Sequence, residues 1–240
     1  MIYLNILFII VLILFFIFFL HKRSQKKGPN LLNKVYNKKF NFNSSFNSNH
    51  YNFINNIIVD LRSNLNILNI FKKFDIKNTD SFLDIGSGDG FNLLYMNKFY
   101  KFKNIIGVEL DKNIFETSIN NISLINNDKI QIYNKDALEY IIPPNITYIY
   151  LYNPFTSSPI WPSKIYNEEF NKYTRLIDNI KKSYIFKNRQ ITIIFSNITP
   201  LGDSEKKILE LFKNNFKIKE LIKINSNPIR YTNIGIFNMY

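Results

Sequence analysis

A chain of 240 residues with 46% hydrophobic and 16% aromatic side chains is globular over most of its length, which excludes a disordered or fibrous polypeptide. It has no cysteine, and its two histidines, His21 and His50, lie far from every motif described below, so a disulfide scaffold, a thiolate nucleophile, a Cys- or His-ligated metal site and a histidine-based triad are all excluded as expectations. The formal net charge of +13 would attract RNA, DNA or anionic lipid, but the lysines are scattered rather than gathered in one stripe, so nucleic acid is not the favoured partner.

Residues 2–20 are apolar apart from Asn5, and His21, Lys22, Arg23, Lys26 and Lys27 follow them. As a helix the run spans about 28 Å, close to the hydrocarbon thickness of a bilayer. Basic residues after the run, with only the α-amino group before it, predict a single-pass membrane anchor with the remaining chain on the cytoplasmic side. A cleaved signal peptide would need a basic stretch before the run and small residues after it, and neither is present. The predicted organisation is a transmembrane anchor at 1–21, a basic and Asn/Ser-rich linker at 22–50, and one α/β domain at 51–240. From Tyr51 to Phe74 apolar residues recur at helical spacing, which predicts one or two helices leading into the core.

Short β-type runs then appear at 81–85, 104–110, 129–133, 147–152 and 190–195. Helical patterns begin near Phe91, Lys112, Ala137 and Glu168, and another covers 203–214. This alternation predicts an open parallel sheet with right-handed crossovers. The runs at 216–225 and 229–240 have no helix between them, so they can pair only as an antiparallel hairpin. The expected fold is therefore α/β: a Rossmann-like, seven-stranded, mostly parallel sheet that ends in an antiparallel hairpin and follows one transmembrane helix.

At the end of the first strand stands Asp84-Ile85-Gly86-Ser87-Gly88-Asp89-Gly90. Glycines permit a tight turn and close approach of backbone to ligand, and the helix opening after them offers unpaired N–H groups. A dinucleotide fingerprint needs a third glycine where this chain has bulky Phe91. At the end of the second strand Glu109 places a carboxylate able to accept two hydrogen bonds from adjacent ribose hydroxyls, a device that nicotinamide enzymes share. After the third strand come Asp136 and Ala137, and the fourth ends in Tyr152-Asn153-Pro154-Phe155.

These motifs resemble those of class I S-adenosylmethionine (SAM) dependent methyltransferases, whose sheet also ends in an antiparallel hairpin. The fourth-strand ending is similar to that of a group of short class I methyltransferases carrying a Tyr-Asn-Pro-Phe sequence there. More distantly the chain resembles the Dot-type histone lysine methyltransferases and the membrane-anchored lysine methyltransferases of ATP synthase subunit c. The resemblance implies that SAM is the cofactor and that Gly86, Ser87, Gly88 and Gly90 form its loop. It further implies that Asp84 meets the methionyl ammonium, Leu110 packs on the adenine face, Asp136 bonds the adenine amino group and the Ala137 N–H meets a ring nitrogen. Asn153, Pro154 and Phe155 would form the acceptor edge. Asn-Pro-Phe is similar to the Asn-Pro-Pro-Tyr/Phe motif of amino-group methyltransferases without its second proline. There the Asn oxygen accepts from the target amine and leaves its lone pair aimed at the methyl, while Phe155 supplies an apolar or cation–π wall.

The expected function is thus methyl transfer from SAM by a membrane-anchored enzyme of the general methyltransferase class. Methyl transfer is an in-line displacement that needs no metal and depends on orientation and exclusion of water. No residue stands out as a general base, which favours an amine acceptor, with a protein amino group as the first choice. The loop holding Trp161 follows the acceptor edge and is a candidate cover for the substrate. Two other readings remain: a SAM-binding module that transfers nothing, and a nicotinamide-dependent oxidoreductase.

Overall fold

The computed structural model describes residues 27–42, 69–152, 154–155, 164–184, 191–196, 203–227 and 230–239. The apolar run at 1–21 and the helical pattern over 51–68 lie outside these residues. Among the described residues no helix is long and apolar enough to cross a membrane.

Seven strands form one sheet: β1 (Ser81–Ile85), β2 (Asn104–Glu109), β3 (Ile130–Asn134), β4 (Tyr148–Tyr152), β5 (Ile191–Ser196), β6 (Lys217–Asn227) and β7 (Arg230–Met239). Their spatial order is β3-β2-β1-β4-β5-β7-β6. The first five run parallel. β7 is antiparallel to β5 and to β6, and it lies between them. The predicted strands and terminal hairpin are therefore present. The strand order also reverses between β1 and β4, and it is outside the C-terminal ends of strands at such a switch point that open α/β sheets bind ligands.

The described helices are α1 (Lys27–Tyr36), α2 (Phe91–Phe99), α3 (Lys112–Ser123), α4 (Lys164–Tyr184) and α5 (Asp203–Asn215). Side chains of β1 alternate between two cores, as a strand's period of two requires. Phe82 joins one core with Leu32, Phe71, Leu94, Phe102 and Tyr150. Leu83 and Ile85 join the other with Ile149, Leu151 and residues of α4 and α5. On α4, Tyr173, Leu176, Ile177 and Ile180 recur at helical spacing and are all buried, which seats that helix on the second face. α3 starts at Asp111, whose side chain accepts from the Ile114 N–H as an N-cap.

Two expectations need correction. The stretch predicted as a linker at 22–50 contains α1, and Leu32, Phe40 and Phe42 within it are buried in the core. Leu31, Leu32, Val35 and Tyr36 lie on one helical face, which the intervening Asn and Lys residues disguise as polar sequence. The helix predicted from Ala137 is only a turn: the Asp136 carbonyl accepts from the Glu139 and Tyr140 N–H groups at 3.0 and 2.9 Å. Pro143 and Pro144 follow too soon for the helix to propagate.

Candidate active site

β1 ends at Ile85, and the glycine loop turns from it into α2. Gly86, Gly88 and Gly90 all have positive φ, at 75°, 59° and 85°. The Gly86 and Ser87 N–H groups both donate to the Val108 carbonyl, at 2.9 and 3.1 Å, so the start of the loop is moored to β2. The Ser87 side chain is buried against that strand. A Cβ on Gly107 would lie 2.7 Å from both Ser87 Oγ and Leu93 Cδ1, so only glycine in mid-strand admits the loop. At the other end a Cβ on Gly90 would come within 2.5 Å of Ser118 Oγ on α3.

Glu109 closes the edge of the loop. Its Oε2 accepts from the Gly88 N–H at 2.8 Å and its Oε1 from the Asp111 N–H at 3.0 Å. Asn134, at the end of β3, donates from Nδ2 to the carbonyls of Glu109 and Leu110, each at 2.9 Å, and so fixes the path of that segment. Leu110 is 68% exposed, an apolar side chain standing open beside a carboxylate. Asp84 is fully buried, and its Oδ2 accepts from Asn92 Nδ2 on α2 at 3.0 Å. Asp136 Oδ1 accepts from the Leu138 N–H at 2.8 Å, and the Ala137 N–H beside it donates to no described residue.

On the β4 side, Pro154 packs on the glycine loop, its Cα 3.2 Å from where a Gly86 Cβ would stand. Phe155 is half-buried and meets Tyr173 edge to face, with ring centroids 5.0 Å apart. Asn153 and Trp161 lie outside the described residues. Burial pushes the Tyr150 hydroxyl far up from its ordinary value, with Tyr152 and Asp84 adding to the effect, so it remains a neutral phenol rather than a base. Among the described residues no cluster of three or more Asp, Glu and His side chains gathers as a metal site would require.

Compared with known families, residues 37–223 match the model of the family described as ribosomal RNA adenine dimethylase. The chain belongs to the ribosomal RNA adenine dimethylase family. No curated protein sequence matches it significantly. Solved structures share this family member's fold at low identity. The human methyltransferase 10 domain containing protein superposes with a TM-score of 0.59 at 14% identity, covering 92% of this chain and 98% of that one. A SAM-dependent methyltransferase from Aquifex aeolicus gives 0.54 at 14% identity, covering 78% and 97%. The magnesium protoporphyrin IX methyltransferase of Synechocystis, solved with SAM bound, gives 0.56 at 10% identity, covering 82% and 89%.

S-adenosyl-L-methionine is the cofactor of this adenine dimethylase family member, and the chain is a SAM-dependent methyltransferase. The residues present fit that ligand. Open Leu110 offers an apolar surface for a base, and Glu109 beside it offers a carboxylate for ribose hydroxyls. The glycine loop opens α2 on the same side; its Gly86, Ser87, Gly88 and Gly90 N–H groups are bonded within the protein, so what it offers a ligand is close approach to a backbone without side chains. Bound SAM supplies a methyl group on a sulfonium that departs as a neutral thioether. The structure brings Gly86, Gly88, Glu109 and Pro154 together around the loop. It turns the Ser87 side chain toward β2 instead, and the Ser87 N–H and carbonyl are engaged by the Val108 carbonyl and the Gly90 N–H, at 3.1 and 3.3 Å. Sequence reasoning passed over Asn92, Gly107 and Asn134. A lone glycine inside a strand is the signal for Gly107; the two asparagines carry no signal in a chain so rich in that residue.

Proposed function

We propose that the chain methylates the exocyclic amine of adenine in RNA. The family match over residues 37–223 carries this reading, because it spans the glycine loop and the end of β4 together. The sequence by itself favours a protein amine, and the family match supports RNA as the acceptor instead. The chemistry agrees. An aryl amine is already neutral at pH 7, so it needs orientation more than a base. In this reading Asn153, next in sequence after the last residue of β4, accepts from the amine, and Phe155 provides the apolar wall. Asp84 serves the methionyl end of SAM, and Asp136 with Ala137 the adenine end. A net charge of +13 supplies attraction for the phosphate backbone.

A second reading has its own observation. The apolar run at 2–20 and the basic cluster after it suit an enzyme held at a membrane, on its cytoplasmic side, with a protein lysine as acceptor. The likeness to membrane-anchored and Dot-type lysine methyltransferases supports it. One assay separates the two: full-length protein incubated with tritiated SAM and either total RNA or membrane protein. Label that ribonuclease removes, and that hydrolysis yields as N6-methylated adenosine, is the expected result. Label confined to protein would overturn the RNA reading in favour of the second. Carbonate extraction of membranes tests the anchor separately, since a spanning helix resists it. Asn153→Ala is expected to lower kcat at least tenfold while leaving SAM affinity nearly intact, measured by turnover and calorimetry; an equal loss of both would place Asn153 at the donor instead.

A further inference from the structure

Outside the motif, one side chain ties three parts of the molecule together. Asn121 on α3 is 2% exposed. Its Oδ1 accepts from the Asn41 N–H at 2.7 Å. Its Nδ2 donates to the Asn41 carbonyl at 2.6 Å and to the Asp89 carbonyl in the glycine loop at 2.9 Å. The carboxamide thus pairs with Asn41 as a neighbouring strand would, and spends its second amide hydrogen on the loop. The segment holding Asn41 is clamped from both sides, with Phe40 and Phe42 buried. The Phe42 ring meets Phe91 edge to face at 5.2 Å, directly after the loop.

We propose that Asn121 is a positioning residue for cofactor binding, which makes SAM affinity depend on the seating of residues 40–42. The Asp89 carbonyl and the Gly90 N–H belong to the same planar unit, so holding the first fixes the direction of the second. That unit joins Asp89 to Gly90, with Gly88 and Gly90 both at positive φ and without side chains to hold them; besides Asn121 it has the Gly90 N–H bond to the Ser87 carbonyl, long at 3.3 Å. Gly88 is the residue whose N–H reaches Glu109. Asn121 therefore rigidifies the half of the loop that β2 does not moor, and the strap at 40–42 in turn holds Asn121. Because coupling between two sites is reciprocal, SAM must seat the strap as much as the strap favours SAM. The inference rests on SAM being the ligand of the glycine loop.

The test uses the full chain. Calorimetry measures SAM affinity for the wild type and for Asn121→Asp, which keeps an acceptor for Asn41 but presents a carboxylate to two carbonyls. The expected result is a Kd and a KM for SAM raised roughly tenfold, with kcat at saturating SAM little changed. Hydrogen exchange of the wild type with and without SAM then reads the coupling with no substitution. Slower exchange of the residue 40–42 amides when SAM is present is expected. A folded Asn121→Asp with wild-type SAM affinity, or strap exchange indifferent to saturating SAM, overturns the proposal. Should the variant fail to fold, the exchange measurement decides alone. A wild type that binds no SAM would instead overturn the cofactor assignment beneath it.

Discussion

A methyl group added at Gly90 would stand 2.5 Å from Ser118 Oγ, on a backbone already at φ +85°. The Ser118 hydroxyl must turn away or the loop must shift, and the backbone strain alone costs about 1–3 kcal/mol. Gly90→Ala is expected to lower the melting temperature and to weaken SAM binding together, because the displaced atoms belong to the loop. A calorimetric titration beside a thermal melt checks both, and unchanged SAM affinity in a folded variant would remove Gly90 from the site. Glu109→Gln acts differently. The amide keeps one acceptor for either the Gly88 or the Asp111 N–H but loses the charge that strengthens bonds to hydroxyls. SAM affinity is expected to fall on the order of tenfold or more, with about 1 kcal/mol or less lost from folding stability. A large stability loss without an affinity loss would make Glu109 a structural strand end.

Among the elements, α1 tests whether the domain extends N-terminally beyond the sheet. Leu32 is fully buried with Phe91, Leu94 and Phe71. Leu32→Ala is expected to cost about 2–5 kcal/mol, visible as a shifted urea midpoint, whereas a residue in a mere tether would cost almost nothing. The strands were legible because Ile-, Tyr- and Phe-rich runs alternate with helical spacing, and burial on both faces of β1 and β4 makes those runs continuous. The positions of the glycine loop and Glu109 at strand ends were legible because each directly follows an apolar run. Helix α1 was not, since its apolar face is interrupted by Asn33 and Lys34 and preceded by Gly28-Pro29. Asn92, Asn121 and Asn134 were not, because tertiary pairing gives them their roles. Asn121 meets Asn41 across a chain separation of 80 residues, which no local spacing reveals.

At the scale of the molecule, the aromatic content makes the fold sensitive to alkali. Burial raises the Tyr140 hydroxyl to about 12, with Tyr133 adding to it, and burial with Asp80 and Asp75 raises Tyr148 to about 12. Tyr150, completely enclosed, is likewise raised well above its ordinary value. The folded state favours the neutral phenol in each case, so the stabilisation is fully present below the unfolded value near 10 and is lost as pH rises through the folded values. Thermal stability is therefore expected to fall steeply between about pH 10 and 12, with tyrosinate absorbance at 295 nm appearing in step with unfolding. Free titration of these tyrosines well before unfolding would contradict their enclosure.

The placement of β7 has a consequence for biosynthesis. This strand comes after β6 in the chain yet fills the slot between β5 and β6, with Ile236 and Phe237 in the cores. During translation β1 to β5 can assemble as they emerge, but β5 keeps an open hydrogen-bonding edge until residues 230–239 have left the ribosome. The glycine loop and Glu109 can thus mature on the nascent polypeptide while the opposite flank of the sheet is still a sticky border, which makes that interval the moment at which chaperone protection matters most.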